Sequence, residues 1–259
     1  MVYAPAKKSD LGTRTFSAVA MLAVAAGALW LGGWFWGAFV GLIAVGVLWE
    51  WWRLISRFET ERIPRFLWSA GGVLYVALAS GALLKERHDF EGVHGVLLIV
   101  GAVIATDIGA YFAGRTIGGP KIAPSISPKK TWAGLFGGMV GATLILPIIS
   151  RSWFAGLCNV FYPRPVLPLG HFELDGPCSG ILGLPPLSYL LVWSLIAGPL
   201  IAVLAQAGDF FESWMKRKAG VKDSSNLIPG HGGLFDRVDG LLAVSVVAGV
   251  IMLVERFVG

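Results

Sequence analysis

The amino-acid sequence predicts an all-α fold, a polytopic transmembrane helical bundle of about seven or more spans with its N-terminus in the cytoplasm. Three observations carry that expectation. Only 14% of the 259 residues are charged and 55% are hydrophobic, whereas soluble domains carry roughly 25% charged residues. Several apolar runs reach the ~20 residues that a helix needs to cross a bilayer, too many for one unusually large soluble core. Lys and Arg alternate between sides of the runs in a strongly biased way. The 35 glycines and 11 tryptophans fit the same picture, because Gly is frequent in membrane helices and Trp collects at membrane interfaces.

The spans are read at about 16–32, 34–52, 66–84, 93–114, 134–150, 188–211 and 240–256. Each is expected to be helical, because in lipid every backbone N–H and C=O must be satisfied within its own segment. Lys7, Lys8 and Arg14 precede the first run. That run outlasts a signal-peptide core and shows no small-residue cleavage site, so it reads as a retained span. Gly32 and Gly33 supply the turn into the second span. Pro147 and Pro199 sit where kinks are tolerated if neighbouring groups take over the freed carbonyls. With the N-terminus inside, 16 of the 21 Lys and Arg fall on the cytoplasmic side. This is a positive-inside bias that supports an odd number of spans and puts the C-terminus outside.

Residues 151–187, rich in Pro and Gly, read as an irregular external loop; Pro163, Pro165 and Pro168 argue against a further span. Cys158 and Cys178 both fall in it, able to pair if that compartment is oxidising, and no metal-ligand spacing surrounds them. No internal repeat, low-complexity tract or second domain is evident. The chain reads as one integral-membrane catalytic domain over 1–259, made of N-terminal spans (16–133), a span plus external loop (134–187) and C-terminal spans (188–259).

The net charge of +5 is a trait shared with nucleic-acid binders, but here the cations serve topology, anionic headgroups and nucleotide phosphates. No nucleic-acid partner is expected. The acidic residues are more telling. Asp107 falls inside the fourth span, and Asp209 and Glu212 near the cytoplasmic end of the sixth. A carboxylate at membrane depth costs ~2.5–3.5 kcal/mol on insertion scales, so such residues usually face a polar cavity. Asp209, Glu212, Ser213 and Lys216 share one helix face by their spacing. Beyond them come Arg217, Lys222, Asp223, then Gly230-His231-Gly232-Gly233, then Asp236, Arg237 and Asp239. The glycines let the backbone approach an anion closely. Hard carboxylate oxygens suit Mg²⁺ shared with substrate phosphates, and the cations can neutralise a polyphosphate. A second constellation runs from Asp107 and Tyr111, one turn apart, to Ser127, Lys129, Lys130 and Thr131. Lys129 and Lys130 also have a plain topogenic reading, and His231 one as a structural hydrogen bond in a turn.

The stretch from Ser213 to Asp239 resembles the signature of the phosphatidate cytidylyltransferase family, with every position expected to be invariant in that signature filled. Asp107 to Thr131 resembles the family's second block, with one departure at Ala133, where many members have Glu. The resemblance covers 101–134 and 205–240. It implies transfer of the CMP moiety of CTP to phosphatidic acid, giving CDP-diacylglycerol and pyrophosphate, at the cytoplasmic face of a bacterial-type inner membrane. It implies Asp209 and Asp236 as metal ligands, with Asp239, Glu212 or Asp107 completing or supporting the set. Lys216, Arg217, Lys222 and Arg237 would hold phosphates. Ser127, Lys129, Lys130, Thr131, Ser213, Asp223, Gly230, His231, Gly232 and Gly233 would serve substrate binding. Mg²⁺ is the implied metal, and a second metal or a monovalent cation stays open. CTP, phosphatidic acid and membrane lipids are the implied partners; a homodimer is compatible with the resemblance, and the glycine-rich spans offer close-packing faces. Two rivals remain: a CTP-dependent lipid kinase, which would release CDP, and an ion-coupled transporter, which predicts a repeat with paired broken helices that the sequence lacks.

Overall fold

The computed structural model describes residues 11–88, 92–161, 187–228 and 232–258. Among them are seven helices: α1 (Leu11–Leu31), α2 (Gly33–Phe58), α3 (Arg62–His88), α4 (Val93–Thr116), α5 (Trp132–Phe161), α6 (Leu187–Lys218) and α7 (Phe235–Val258). Six are long and apolar enough to cross a membrane; the apolar stretch of α1, Thr15–Leu31, is shorter. No strand occurs among the described residues, only two isolated bridges. The chain is a polytopic helical membrane bundle.

The helices outrun the apolar windows. α2 continues through Arg53 and Arg57 to Phe58, and α6 through Lys216 to Lys218. Hydropathy marks the thickness of the bilayer, whereas a helix continues until a breaker or cap stops it, and Lys and Arg are good helix formers. The largest difference is in α5. It extends through residues 151–161, which the sequence reading placed in the external loop. No proline interrupts 148–161, so nothing in the residue order stops the helix over that stretch. Residues 162–186 lie outside those described, and with them Cys178 and its pairing with Cys158. Gly32 and Gly33, both with positive φ, make the expected turn between α1 and α2. The Arg87 Nε donates to the Leu29 carbonyl at 2.9 Å, satisfying a terminal acceptor of α1.

Small residues decide which helices touch. α4 and α5 are the most intimate pair. A Cβ on Gly137 would meet the Gly109 carbonyl oxygen at 2.5 Å, and one on Gly138 the Thr106 carbonyl oxygen at 3.1 Å. Without a hydrophobic drive between helices in lipid, such backbone-level packing supplies the association. α6 meets α7 at Gly208, where a Cβ would overlap the Asp239 carbonyl and press on Ala243. Gly208 thereby lets the neighbouring Asp209 approach Asp239. Most large apolar side chains face outward; Trp34 is 91% and Phe257 85% exposed in the isolated chain, as lipid-facing side chains must be.

Toward the end of the bundle where the 59–61, 117–131 and 219–234 connectors emerge, an aromatic cluster ties four helices together. Trp51 of α2 is buried, with ring centroids 5.8 Å from Tyr75 of α3, 5.6 Å from Phe211 of α6 and 5.7 Å from Phe235 of α7. Its indole N–H donates to the Trp68 carbonyl at 3.0 Å. This cluster is the floor on which the polar connectors rest.

Gly137→Leu is expected to lower the thermal midpoint of the detergent-solubilised protein, since overpacking a close contact costs about 1–3 kcal/mol. Gly81→Ala, where an added Cβ meets nothing within 4 Å, is expected to leave the midpoint unchanged in the same assay.

Candidate active site

Two connectors and three helix ends build the site. The first connector, 117–131, turns on Gly118 and Gly119, both with positive φ. It is closed by Ile122 N–H to Lys130 O at 3.1 Å and Trp132 N–H to Pro120 O at 3.1 Å. Thr131 ends it as the N-cap of α5: buried, with its Oγ1 accepting Gly134 N–H at 3.0 Å. Ser127 shapes the preceding turn through its backbone, donating to Ala123 O at 2.9 Å and accepting from Lys130 N–H at 3.4 Å.

This connector aims Lys129 and Lys130 into a cleft of about 380 Å³ between α4, the start of α5 and α6. Asp107, Tyr111 and Arg115 of α4 form one wall, and Gln206 and Asp209 of α6 the other. Lys130 Nζ lies 2.5 Å from Asp209 Oδ2 and 5.0 Å above the Phe210 ring. Arg115 Nη1 donates to the Tyr111 hydroxyl at 2.6 Å. The cleft therefore holds carboxylates and cations together, the make-up of a site for a charged ligand.

Behind Asp209 lies a carboxylate trio. Asp209, Glu212 and Asp239 each offer an oxygen within 4.8 Å of the others. Glu212 is 1% exposed. Its Oε2 is 2.5 Å from Lys216 Nζ, while its Oε1 is buried and accepts no hydrogen bond. A buried acceptor without a donor, set among two further carboxylates, suits a hard divalent cation. Ser213 donates to Asp209 Oδ1 at 3.3 Å and so orients that carboxylate from one turn away.

Asp236 lies outside the trio, although its carboxyl neighbours that of Glu212, and it has further partners. Its Oδ1 takes Lys216 Nζ at 2.5 Å. Its Oδ2 accepts Ser224 N–H at 3.0 Å, Ser224 Oγ–H at 2.8 Å and Gly233 N–H at 2.9 Å. Asp107 shares the cleft with Asp209 but is not one of the three clustered carboxylates. Lys222, Asp223, Arg217 and Arg237 are exposed; Arg217 Nε reaches Ile126 O at 3.3 Å, which ties α6 to the first connector. Gly232 has φ +86, and the Ile228 N–H bonds its carbonyl at 2.9 Å. Gly230 and His231 lie outside the described residues. A Cβ on Gly233 would overlap Ser224 Oγ and sit 2.8 Å from Glu50 Oε1. The anions that the Gly233 backbone approaches are thus the protein's own carboxylates.

Four residues of the site have no assigned role in the sequence reading, although Ser224 and Ser225 fall within the Ser213–Asp239 signature. Glu50 of α2, fully buried, binds the second connector. Ser224 and Ser225 are its hydroxyl partners. Gln206, 6% exposed, lines the cleft with its Oε1 unpartnered. Two signals were available. Glu50 interrupts an apolar run just as Asp107 does, and Gln206 lies three residues before Asp209 on the same helix face.

Comparison with known proteins identifies the family. The model of the cytidylyltransferase family matches residues 60–254. A phosphatidate cytidylyltransferase from Rickettsia bellii (strain RML369-C) is 29% identical over 237 residues, 91% of this chain and 88% of the relative. One from Brucella suis biovar 1 (strain 1330) is 35% identical over 183 residues, 69% of this chain and 54% of the relative, so the chain spans about half the length of that protein. One from Haemophilus influenzae (strain ATCC 51907 / DSM 11121 / KW20 / Rd) is 33% identical over 209 residues, 75% of this chain and 62% of the relative. The matched region takes in α3 to α6, α7 as far as Val254, both connectors and every residue of the cleft and the trio, and on that match the chain belongs to the cytidylyltransferase family.

Proposed function

We propose that this protein is a phosphatidate cytidylyltransferase, which transfers the CMP moiety of CTP to phosphatidic acid and releases pyrophosphate. The observation that carries the reading is the carboxylate trio Asp209, Glu212 and Asp239 opening beside a cleft that also holds Lys129 and Lys130. That pairing of anionic and cationic groups is what two phosphate-bearing substrates require, and family membership supports it. In the reaction a phosphate oxygen of phosphatidic acid attacks the α-phosphorus of CTP. A new P–O bond forms, the bond to the α–β bridging oxygen breaks, and pyrophosphate leaves with the electron pair. The attacking oxygen is already anionic near neutral pH, so no strong base is needed; the demands are positioning two anions and stabilising charge on the leaving group.

Each side chain then has a role. Lys129 and Lys130 hold phosphate oxygens in the cleft, and the exposed Lys222 and Arg237 do so from the second connector and the start of α7. Ser213 orients Asp209. Asp236, through its contact with Lys216, keeps that ammonium on Glu212. Asp209, Glu212 and Asp239 are the residues that would hold Mg²⁺, with Asp107 supporting the set from the cleft wall. A bound divalent cation supplies charge neutralisation for the phosphates and the departing pyrophosphate. The Lys and Arg distribution supports an active face in the cytoplasm of a bacterial inner membrane. There the lipid arrives laterally and CTP from the aqueous side.

Purified protein given phosphatidic acid, Mg²⁺ and cytosine-labelled CTP is expected to move label into lipid, to release pyrophosphate, and to stop when EDTA is added. Release of CDP without label in lipid would instead make the protein a lipid kinase. Asp209→Asn is expected to insert and fold normally yet to lose at least about a hundredfold in turnover, the upper range for loss of support at a metal site. Near-normal turnover would remove Asp209 from the ligand set. Lys222→Ala, which removes an exposed cation, is expected to raise KM for CTP about tenfold, the worth of one charge-assisted hydrogen bond, with no change in melting temperature.

A further inference from the structure

The second connector is held from two sides by carboxylates. On one side is Glu50, which is completely buried within α2. Its Oε1 accepts Leu234 N–H at 2.8 Å and the Ser225 hydroxyl. Its Oε2 accepts Phe235 N–H at 2.6 Å and the Ser224 hydroxyl at 2.9 Å. Leu234 and Phe235 are where the connector becomes α7, so Glu50 satisfies orphan N–H groups at that helix start from a residue about 185 positions earlier. On the other side is Asp236. The Ser224 hydroxyl lies between the two, 2.9 Å from Glu50 and 2.8 Å from Asp236. It has one proton for two acceptors and therefore links them.

From Asp236 the contacts continue to the metal-competent oxygens. Lys216 Nζ is 2.5 Å from Asp236 Oδ1 and 2.5 Å from Glu212 Oε2, and Glu212 belongs to the trio. A continuous polar chain thus runs from Glu50 through Ser224, Asp236 and Lys216 to Glu212. Glu50 itself is absent from the trio and from the cleft lining. A carboxylate at membrane depth is costly, and three donors together with a share in the Ser224 proton make this one tenable. The adjoining Gly233 leaves room for it, since a Cβ there would sit 2.8 Å from Glu50 Oε1.

We infer that Glu50 is a positioning residue for the metal site: by clamping Ser224, Ser225, Leu234 and Phe235 it sets the placement of Asp236 and Lys216, and through them the orientation and metal affinity of Glu212. The inference rests on the metal role proposed above for Asp209, Glu212 and Asp239. Glutamine at position 50 would keep the shape but replace one acceptor oxygen by an NH₂ donor. On either side that donor would face a backbone N–H, of Leu234 or of Phe235, so one side of the clamp must open.

The test uses detergent-purified full-length protein and Mn²⁺ alone, followed by electron paramagnetic resonance without substrate. Glu50→Gln is expected to weaken Mn²⁺ binding about 10- to 100-fold, the usual cost of losing support behind a metal ligand. It is also expected to raise the Mg²⁺ concentration for half-maximal activity by a similar factor, so that high Mg²⁺ restores turnover without restoring melting temperature. Glu50→Asp, which keeps both oxygens on a shorter arm, should fall between. A Glu50→Gln protein that melts lower but binds Mn²⁺ and responds to Mg²⁺ like the parent would overturn the inference and leave Glu50 a purely structural anchor. If Glu50→Gln does not fold, Ser225→Ala, which removes one of those donors, decides on the same readouts: a several-fold loss of Mn²⁺ affinity supports the inference and an unchanged affinity overturns it. Failure of the metal role itself is distinguishable, because the parent protein would then bind no Mn²⁺ or Asp209→Asn would bind it unchanged.

Discussion

A carboxylate that enters the apolar part of a membrane protein must find its donors inside the protein, because lipid offers none. This chain places several there, and the arrangement of its functional end follows from how each is satisfied. Glu50 takes two backbone N–H groups, one hydroxyl and a share in the Ser224 proton. Asp236 takes a lysine, a hydroxyl and two backbone N–H groups. Asp209 takes Lys130 and Ser213. Glu212 shares Lys216 and keeps one oxygen without a donor. The residual acceptor capacity is gathered where Asp209, Glu212 and Asp239 converge, and this is the place a cation would occupy.

Bringing those groups together depends on helices that approach at backbone distance. Gly208 allows α6 to lie against the Asp239 carbonyl, which places two of the three clustered carboxylates on neighbouring helices at the same height. The glycines of α4 and α5 do the same for the cleft wall, holding Asp107 and Tyr111 beside the connector that carries Lys129 and Lys130. The aromatic cluster around Trp51 then joins α2, α3, α6 and α7 beneath the second connector. Glycine-packed helices carry the clustered carboxylate oxygens, and the exposed cations Lys129, Arg217, Lys222 and Arg237 lie on the connectors and at the adjoining helix ends. This division suits a site that must keep a metal geometry steady while charged ligands come and go.

Much of this was legible in the residue order. The number of helices, the Gly32–Gly33 turn, the intramembrane carboxylates and the two clusters of chemistry all follow from local rules: bilayer thickness, the cost of buried charge and helical periodicity. Helix ends were read less well. Apolar windows report where lipid stops rather than where hydrogen bonding stops, so α2, α5 and α6 run on past them. Glu50 shows a different gap. Its position in an apolar run marked it as unusual, yet its partners lie more than 170 residues away.

By itself, the sequence determined that the chain is a helical membrane protein and that its carboxylates and cations concentrate in two segments. These are properties of composition and spacing, which need no knowledge of what packs against what. Only the tertiary structure decided which acids act together. Asp209, Glu212 and Asp239 converge, while Asp236 turns to Lys216 and Ser224. The physical reason is that a carboxylate's role is set by the donors within about 3 Å of it, and in this bundle most of those donors come from other helices and connectors brought close by glycine contacts.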